Sequence, residues 1–595
     1  MGQTPMPDRD DAPLPSNIAD DETALASALT SPPENSTAIG GARGRIIAAA
    51  AIIMIGQLLS SVLGLVRIET LNVLFYGAAS GAFIIALRPI QQVSDLVVAG
   101  SVSGALIPTF VDYGDPAHRE QLRRAYSTIL NLVVIALAVA ALILLLAAPS
   151  LVPFWIDPNL VGPVSEALAI ELVRIAAFAL FGLGLYAVTS ALLYALKEVV
   201  LPAFATGIFH VGIVVGGVIG LLIVAIQLHL PLSELFQNSS SPAVEQAHLL
   251  GARGLAVGAV VGALGEFLFL LPGLRKTGVG WRPVLDLRHP AVRQALRLYA
   301  PIVGFLLITF AQQNVDLFLI GRTPGNPLAN ATALQSATTL IQFPTGLVAA
   351  ALTFAVLPAL TAAANRADTP EFKRILVLGF RLGLLLMVPA MVGLIILRAP
   401  IVELLFQHGT CQAANGCSYR NALALLNYSY QLPFLALDQL LIAAFYARKN
   451  TLTPAVTGAV AILFYLVIAV PFGPTIGMPA IAFANTALNV SHALILFVLL
   501  TRAIGNLGMR ELLDGAGRIA LAALAMGLVC FGLVSLLPRF LPALDSSGTL
   551  ATALTLLVAG GAGVSVYFAL ARLLDLEELR LLGGIIRERL SRSRR

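Results

Sequence analysis

The sequence predicts an all-α polytopic membrane protein with fourteen transmembrane helices, on three observations. The 595-residue chain is 58% hydrophobic and only 12% charged, whereas a soluble protein of this size needs more polar surface. Its hydrophobic residues fall into fourteen runs, each near or above the roughly 20 residues with which a helix crosses a bilayer. The runs are too long for membrane-spanning strands and lack their alternating pattern.

The fourteen runs follow one another along most of the chain. They occupy residues 45–74, 80–110, 124–148, 167–194, 200–226, 250–274, 296–320, 332–362, 375–397, 421–446, 452–471, 476–501, 517–537 and 549–573. Several contain glycine or proline, as at Gly64, Pro89 and Pro344. Membrane helices tolerate these residues, and broken helices often line cavities.

Lysine and arginine concentrate in every second gap between the runs. The gap after the sixth run alone holds Arg275, Lys276, Arg282, Arg288, Arg293 and Arg297. By the positive-inside rule these gaps and both termini are cytoplasmic, and an even number of spans also requires both termini on one side. The net charge of +5 reflects this loop bias, so we expect no nucleic-acid partner. Residues 1–44 are predicted to form a disordered cytoplasmic tail, and residues 575–595 a basic cytoplasmic tail.

Short motifs recur about 250 residues apart in the chain. Residues 105–108 recur as 355–358, and residues 194–197 with 202–203 recur as 446–449 with 454–455. Proline and lysine could instead simply mark helix ends at cytoplasmic boundaries. A true repeat divides the chain into an N-terminal six-helix bundle (45–276), a C-terminal six-helix bundle (290–502) and two additional helices (515–574). Two parallel repeats around a central cavity are typical of transporters.

Charged residues inside the membrane are expensive and are therefore candidates for function. Arg67, Arg88 and Arg174 could bind an anionic headgroup, because a guanidinium matches phosphate with two parallel hydrogen bonds. The alternative is pairing within the membrane, for example of Arg67 with Glu69 or Asp95. The carboxylates Asp316 and Asp438 are candidate ligands of a coupling ion or satisfied core groups, and the histidines His210 and His492 are expected to pack.

No constellation of catalytic residues and no phosphate-binding loop appears in the sequence. We therefore expect a transporter rather than an enzyme, with no cofactor and with its coupling ion open. Cys411 and Cys417 share the ninth gap, which the charge pattern makes external, so a disulfide is predicted there. The alternative is two free thiols. Cys530 lies in an apolar run and is expected in the core.

Several motifs carry a resemblance to a known family. They lie at residues 63–67, 75–77, 82–83, 104–113, 343–346, 357–358, 405–409, 445–449 and 453–454. Together they resemble the MurJ (MviN) lipid II flippase family of the multidrug/oligosaccharidyl-lipid/polysaccharide exporter superfamily. The resemblance implies that lipid II, an undecaprenyl-diphosphate-linked peptidoglycan precursor, moves from the inner to the outer leaflet of the bacterial plasma membrane by alternating access. It also implies cavity arginines for the headgroup and a groove for the lipid tail in the last two spans. The expected partners are this substrate and membrane lipids, and the expected state is a monomer.

The chain departs from the family pattern at several cavity positions. Ser61, Ser94-Asp95 and Thr338-Thr339 stand where the family has arginine or an Asp-Arg pair, Ile68 where it has aspartate, and Gln342 where it has glutamate. Arg67 is retained, and Arg88 stands where the family often has lysine. The predicted substrate-binding residues are Arg67, Arg88, Ser94, Asp95, Arg174, Thr338 and Gln342. Alternative functions are export of another polyprenyl-linked oligosaccharide, or a transport-inactive lipid-binding scaffold.

Overall fold

The computed structural model describes residues 36–100, 106–113, 115–235, 241–351, 356–540 and 548–576. These ranges are almost entirely helical and contain no strand. The helices are α1 (Ser36–Phe75), α2 (Ala78–Gly100), α3 (Ile107–Asp112), α4 (Arg119–Trp155), α5 (Pro158–Val161), α6 (Pro163–Ala176), α7 (Ala179–Ala195), α8 (Val200–Gln227), α9 (Leu232–Leu235), α10 (Pro242–Thr277), α11 (Pro290–Ile320), α12 (Pro327–Ala351), α13 (Leu357–Asn365), α14 (Thr369–Phe406), α15 (Cys417–Ser429), α16 (Leu432–Ala447), α17 (Leu452–Ile476), α18 (Met478–Ile504), α19 (Met509–Phe540) and α20 (Thr549–Leu573).

The all-helical membrane architecture predicted from the sequence is confirmed, and helices occupy all fourteen hydrophobic runs. Within the described ranges, ten helices are long and apolar enough to cross a membrane. An eleventh is added if α15 and α16, which meet at a bend of 44°, form one span. The number of fourteen spans therefore stays a prediction.

The structure describes only a short part of each predicted tail, residues 36–44 of the first and 575–576 of the second. Helix α1 begins at Ser36, so residues 36–44 are helical rather than part of a disordered tail. Residues 1–35 and 577–595 lie outside the described ranges, and the predictions for them remain untested.

A glycine-lined contact joins α8 to α10 in the first bundle. A Cβ atom added at Gly212 would lie 2.5 Å from the Cα of Gly262, and one added at Gly216 would lie 2.5 Å from the Cα of Gly258. Because these positions carry no side chains, the two backbones approach each other directly. Membrane helices commonly associate through such close packing, since burial in lipid provides no hydrophobic driving force between them. This contact holds the wall of the bundle on which α1 packs.

The repeated motif has the same backbone conformation in both copies. Lys197 and Lys449 are left-handed, with φ of 64° and 61°. In each copy the lysine N–H donates to the tyrosine carbonyl three residues earlier, at 3.0 Å and 2.9 Å. The next N–H then donates to the carbonyl five residues earlier, closing the corner after α7 and after α16. His229, Ala367 and Asp575 have the same left-handed conformation at other helix ends, so the two corners agree with an internal repeat but do not distinguish it from a common way of ending a helix.

The two halves of the chain contact each other at one end of the helices. We call this end, which the charge pattern predicts to be external, the outer side. There the Ser80 and Thr332 hydroxyls lie 2.9 Å apart, and Asn72 donates to Ser336 Oγ at 2.9 Å. A Cβ at Gly81 would lie 2.4 Å from the Leu328 carbonyl oxygen. The outer side is therefore closed between α1, α2 and α12.

Candidate functional site

A polar cavity of about 400 Å³ lies between α1, α2 and α12, on the inner side of the closed contact. Its lining residues are Gln57, Ser60, Ser61, Gly64, Arg67, Gln91, Ser94, Asp95, Leu183, Phe209, His210, Gln335, Thr339 and Gln342. The contributions from α1 recur every three or four residues, which places them on one helix face. A polar stripe on an otherwise apolar membrane helix indicates a water-filled path or a polar ligand.

Arg67 is the most deeply buried cation of this cavity. Arg67 is only 6% exposed. Its Nε and Nη1 atoms have no hydrogen-bond partner among the described residues. The proposed pairing of Arg67 with Glu69 or Asp95 is absent from the ion pairs of the described chain. A buried guanidinium without a partner is costly. The arrangement therefore suits an anionic ligand that supplies the missing acceptors.

His210 of α8 faces α1 across the cavity. A Cβ added at Gly64 would lie 3.5 Å from its Nε2 atom, and its Nδ1 atom is buried without a partner among the described residues. The imidazole thus lies within van der Waals reach of the Gly64 position of α1. The sequence predicted only packing for this histidine, but the structure places it in the cavity wall.

Four of the seven predicted substrate-binding residues meet in this cavity. Arg67, Ser94, Asp95 and Gln342 line it together. Ser94 is buried and Asp95 is exposed to the cavity opening. The substrate-binding role of these residues stays a prediction.

Arg88 lies in a different environment, closer to the outer side. Its Nη1 atom lies 3.7 Å from Asp316 of α11, and the Tyr465 hydroxyl donates to the other carboxylate oxygen at 2.7 Å. Nearby, Asn314 of α11 donates to Gln92 of α2 at 3.0 Å. Arg88 therefore joins the first half to the second instead of lining the cavity.

Arg174 and Thr338 also lie away from the cavity. Arg174 is exposed and donates to the Leu145 carbonyl at 3.2 Å. Glu171, three residues before Arg174 on α6, pairs instead with Arg253 at 2.7 Å. The Thr338 hydroxyl donates to the Leu334 carbonyl, and its neighbour Thr339 lines the cavity instead.

Several cavity residues that carry no charge were not among the residues predicted from the sequence. They are Gln57, Ser60, Gln91 and Gln335, together with His210. The signal that could have found the α1 residues is their spacing: positions 57, 60, 61, 64 and 67 are polar or small within an apolar helix. For α2 and α12 a similar stripe exists, but serines and threonines elsewhere in these helices obscure it.

An apolar groove of about 610 Å³ lies beside the polar cavity, against α14, α19 and α20. Leu65 of α1 and Phe343 of α12 contribute to its wall, two residues from Arg67 and one residue from Gln342. Met526 and Tyr567 contribute from the two additional helices. The polar cavity and the apolar groove thus share helices α1 and α12 as neighbouring walls.

Cys411 and Cys417 are joined by a disulfide, with their Cα atoms 5.3 Å apart. The loop that they close docks on the outer end of α1. Thr410 N–H donates to the Val73 carbonyl at 2.8 Å, and Asn421 donates to Asn72 at 3.1 Å. Cys530 is free and buried. No group of three or more His, Cys, Asp or Glu in the described residues is placed to hold a metal.

We expect mass spectrometry of non-reduced peptides to find Cys411 linked to Cys417. Changing both to serine should increase proteolysis of residues 407–417 more than it reduces transport, because a bond across six positions closes little chain entropy. A parent protein treated with the same protease is the control. Free thiols in protein purified without reductant would contradict the bond.

Comparisons with known proteins agree with this architecture. The family model of the lipid II flippase MurJ matches residues 71–544. The lipid II flippase MurJ of Burkholderia cenocepacia is 28% identical over 456 residues, covering 74% of this chain and 81% of the relative. A probable lipid II flippase MurJ of Vibrio cholerae is 27% identical over 547 residues, covering 89% and 96%.

Solved structures show the same fold. A lipid II flippase MurJ in an inward closed conformation superposes with a TM-score of 0.67 at 18% identity, covering 88% of this chain and 98% of that one. An inward-facing multidrug resistance transporter of the MATE family gives a TM-score of 0.55 at 15% identity, covering 76% and 98%. The family model spans most of the chain and the fold agrees with it, so this protein belongs to the lipid II flippase MurJ family.

Proposed function

We propose that this protein moves lipid II, an undecaprenyl-diphosphate-linked precursor, from the inner to the outer leaflet of a bacterial plasma membrane. The observation that supports this most is that a polar cavity and an apolar groove lie side by side and share helices α1 and α12 as walls. The unpartnered Arg67 faces a polar cavity, and an apolar groove lies beside it. A lipid-linked diphosphate sugar has the same two parts, an anionic polar head and a long apolar tail.

In the proposed mechanism, the headgroup enters the polar cavity while the outer side is closed. The diphosphate accepts hydrogen bonds from Arg67, and the sugar and peptide contact Ser94, Asp95, Gln335 and Gln342. The tail stays in the groove against α19 and α20, so that it never leaves an apolar environment. The two halves then separate at the outer side and close at the inner side, as expected for two rocking bundles. The protein performs no covalent chemistry in this cycle.

A related cargo is supported by a specific observation. Where the family resemblance implies further arginines, this cavity offers the neutral Ser94, Thr339 and Gln342 and the carboxyl group of Asp95. Fewer cations and more neutral groups also suit the headgroup of another polyprenyl-linked oligosaccharide. The shared feature is the diphosphate, which Arg67 would bind in either case.

The test is depletion and complementation in a host whose own lipid II flippase can be shut off. We expect this chain to restore growth and to make lipid II accessible to an enzyme added on the outer face. Lost surface glycan with normal peptidoglycan in the native host would favour the second cargo. Rescue by a variant with a plugged cavity, such as Ser94→Trp, would indicate a scaffold without transport.

The proposed topology places both termini on the cytoplasmic face of the membrane and the outer-side loops on the opposite face. Cysteines introduced as Asn159→Cys and Pro474→Cys should react with an impermeant thiol reagent in intact cells or spheroplasts. Asn365→Cys should react only after permeabilisation, since its loop is one of the cation-rich gaps. All three positions are exposed, so accessibility differs by side alone. Labelling of Asn365→Cys in intact cells would contradict this topology.

A further inference from the structure

A third cavity, of about 790 Å³, lies away from the proposed substrate site in a groove between α4 and α10. Leu185 of α7 forms part of its wall. Its two ends differ in chemistry. Val134, Phe267 and Leu271 line one end, and Arg123, Arg275 and Trp281 line the other.

The two ends of this groove lie at different depths in the membrane. Helix α4 begins near Arg123, and α10 ends near Arg275, so the cationic end lies where both helices meet the gap that is richest in cations. From Arg123 to Val134 is eleven residues, or about 16 Å along a helix. The groove therefore runs from an aqueous boundary to the depth of lipid acyl chains.

The cationic end is held in place by the segment that follows α10. The Trp281 Nε1–H donates to Asn131 Oδ1 at 2.9 Å, and the Asn131 amide donates to the Val284 carbonyl at 2.9 Å. The Arg282 N–H donates to Ser127 Oγ at 3.0 Å. These bonds fix an exposed tryptophan beside two arginines, and tryptophan favours the interface between headgroups and acyl chains.

The cations at this end outnumber the carboxylates beside them. Arg123, Arg124 and Arg282 all pair with Glu120, and Asp286 is the other carboxylate beside them. The Nε of Arg123 is buried without a partner, and Arg275 forms no ion pair among the described residues. The groove thus has an excess of guanidinium groups at its mouth and hydrocarbon along its length.

We propose that this groove binds an anionic phospholipid of the leaflet facing the cation-rich gaps, as a lipid separate from the transported substrate. The phosphate accepts hydrogen bonds from Arg123 and Arg275, the glycerol region lies against Trp281, and one acyl chain follows α4 past Leu130 to Val134. Basic pockets between membrane helices on the cytoplasmic side are suited to such headgroups. The bound lipid fills the gap between α4 and α10 and stabilises the first bundle.

The test is native mass spectrometry of the full-length protein, titrated with dioleoyl phosphatidylglycerol or dioleoyl phosphatidylcholine. We expect phosphatidylglycerol to be retained at least tenfold more tightly. The double variant Arg123→Ala, Arg275→Ala should lose at least tenfold of that affinity, since charge-assisted contacts to phosphate are the strong ones. Val134→Trp, which fills the apolar end, should weaken both lipids. Phosphatidylglycerol should also raise the melting temperature of the parent but not of the double variant.

Arg293→Ala is the matched control, because Arg293 is an exposed cation of the same gap that does not line the groove. It should bind phosphatidylglycerol like the parent. Unchanged affinity in the arginine double variant would overturn the proposal, and so would equal retention of the two lipids. Loss of phosphatidylglycerol in Arg67→Ala instead would place the lipid in the central cavity. These readouts need no transport, so they are independent of the proposed function.

Discussion

Arg67→Ala should abolish transport while leaving the protein folded and at least as stable as the parent. The guanidinium has no partner to lose among the described residues, and burying an unpaired charge opposes folding. Substrate binding would lose charge-assisted hydrogen bonds worth about 1.5–3 kcal/mol each. Two such bonds correspond to a loss of at least about a hundredfold in affinity for the headgroup. Arg67→Lys should be partly active, because the ammonium cannot make the bidentate contact.

The measurement is complementation with expression checked in parallel, together with thermal unfolding of the purified variant. Arg88→Ala is the informative contrast. It should lower stability by about 1–3 kcal/mol, because Asp316 is left buried without its cation, and reduce transport less severely. Full activity of the Arg67→Ala, Arg88→Ala double variant would refute the headgroup role and favour recognition by neutral groups such as Ser94 and Gln342.

A covalent link across the closed outer side should stop transport completely. The Ser80 and Thr332 hydroxyl oxygens lie 2.9 Å apart, so cysteines at these positions are close enough to form a disulfide. If the halves must separate there to release the headgroup, oxidised Ser80→Cys, Thr332→Cys protein cannot complete the cycle. Oxidant should abolish its transport activity in vesicles, and reductant should restore it.

Each single cysteine variant controls for the substitution, and the parent controls for the reductant, which also opens the Cys411–Cys417 bond. The single variants should transport with and without oxidant. Transport by fully cross-linked protein would show that the contact at Ser80 and Thr332 is not a moving gate.

The fold could be predicted from the sequence because bilayer solvation leaves few alternatives to helices of fixed minimum length. The site was harder, as Arg88 illustrates. Arg88 and Asp95 are seven residues apart and so share a face of α2, but they differ in depth by about 10 Å. The sequence indicates the face. It does not indicate at which depth the two halves touch, and Arg88 lies on the closed side of that boundary.

Helix rotation explains the other difference at the site. Thr338 and Thr339 are adjacent, yet successive residues on a helix point about 100° apart. Only Thr339 reaches the cavity, because packing of α12 against its neighbours sets the rotation. One sequence with hydroxyl residues on several faces of α12 cannot fix that angle. Gln57 and Gln335 were missed because uncharged amides commonly hydrogen-bond between membrane helices, so they indicate a ligand site less specifically than a charge does.

The matching corners at Lys197 and Lys449 bear on the ancestry of this chain. The similar motifs that carry these corners, residues 194–197 and 446–449, are what duplication and fusion of one ancestral segment would produce. Such an ancestor of six spans would have worked as a symmetric pair of identical subunits. If the halves arose in this way, helices α19 and α20 fall outside the repeat and would be a later addition. Such an addition would break the symmetry between the halves and give the molecule one distinct side, where the groove proposed for a long apolar tail lies.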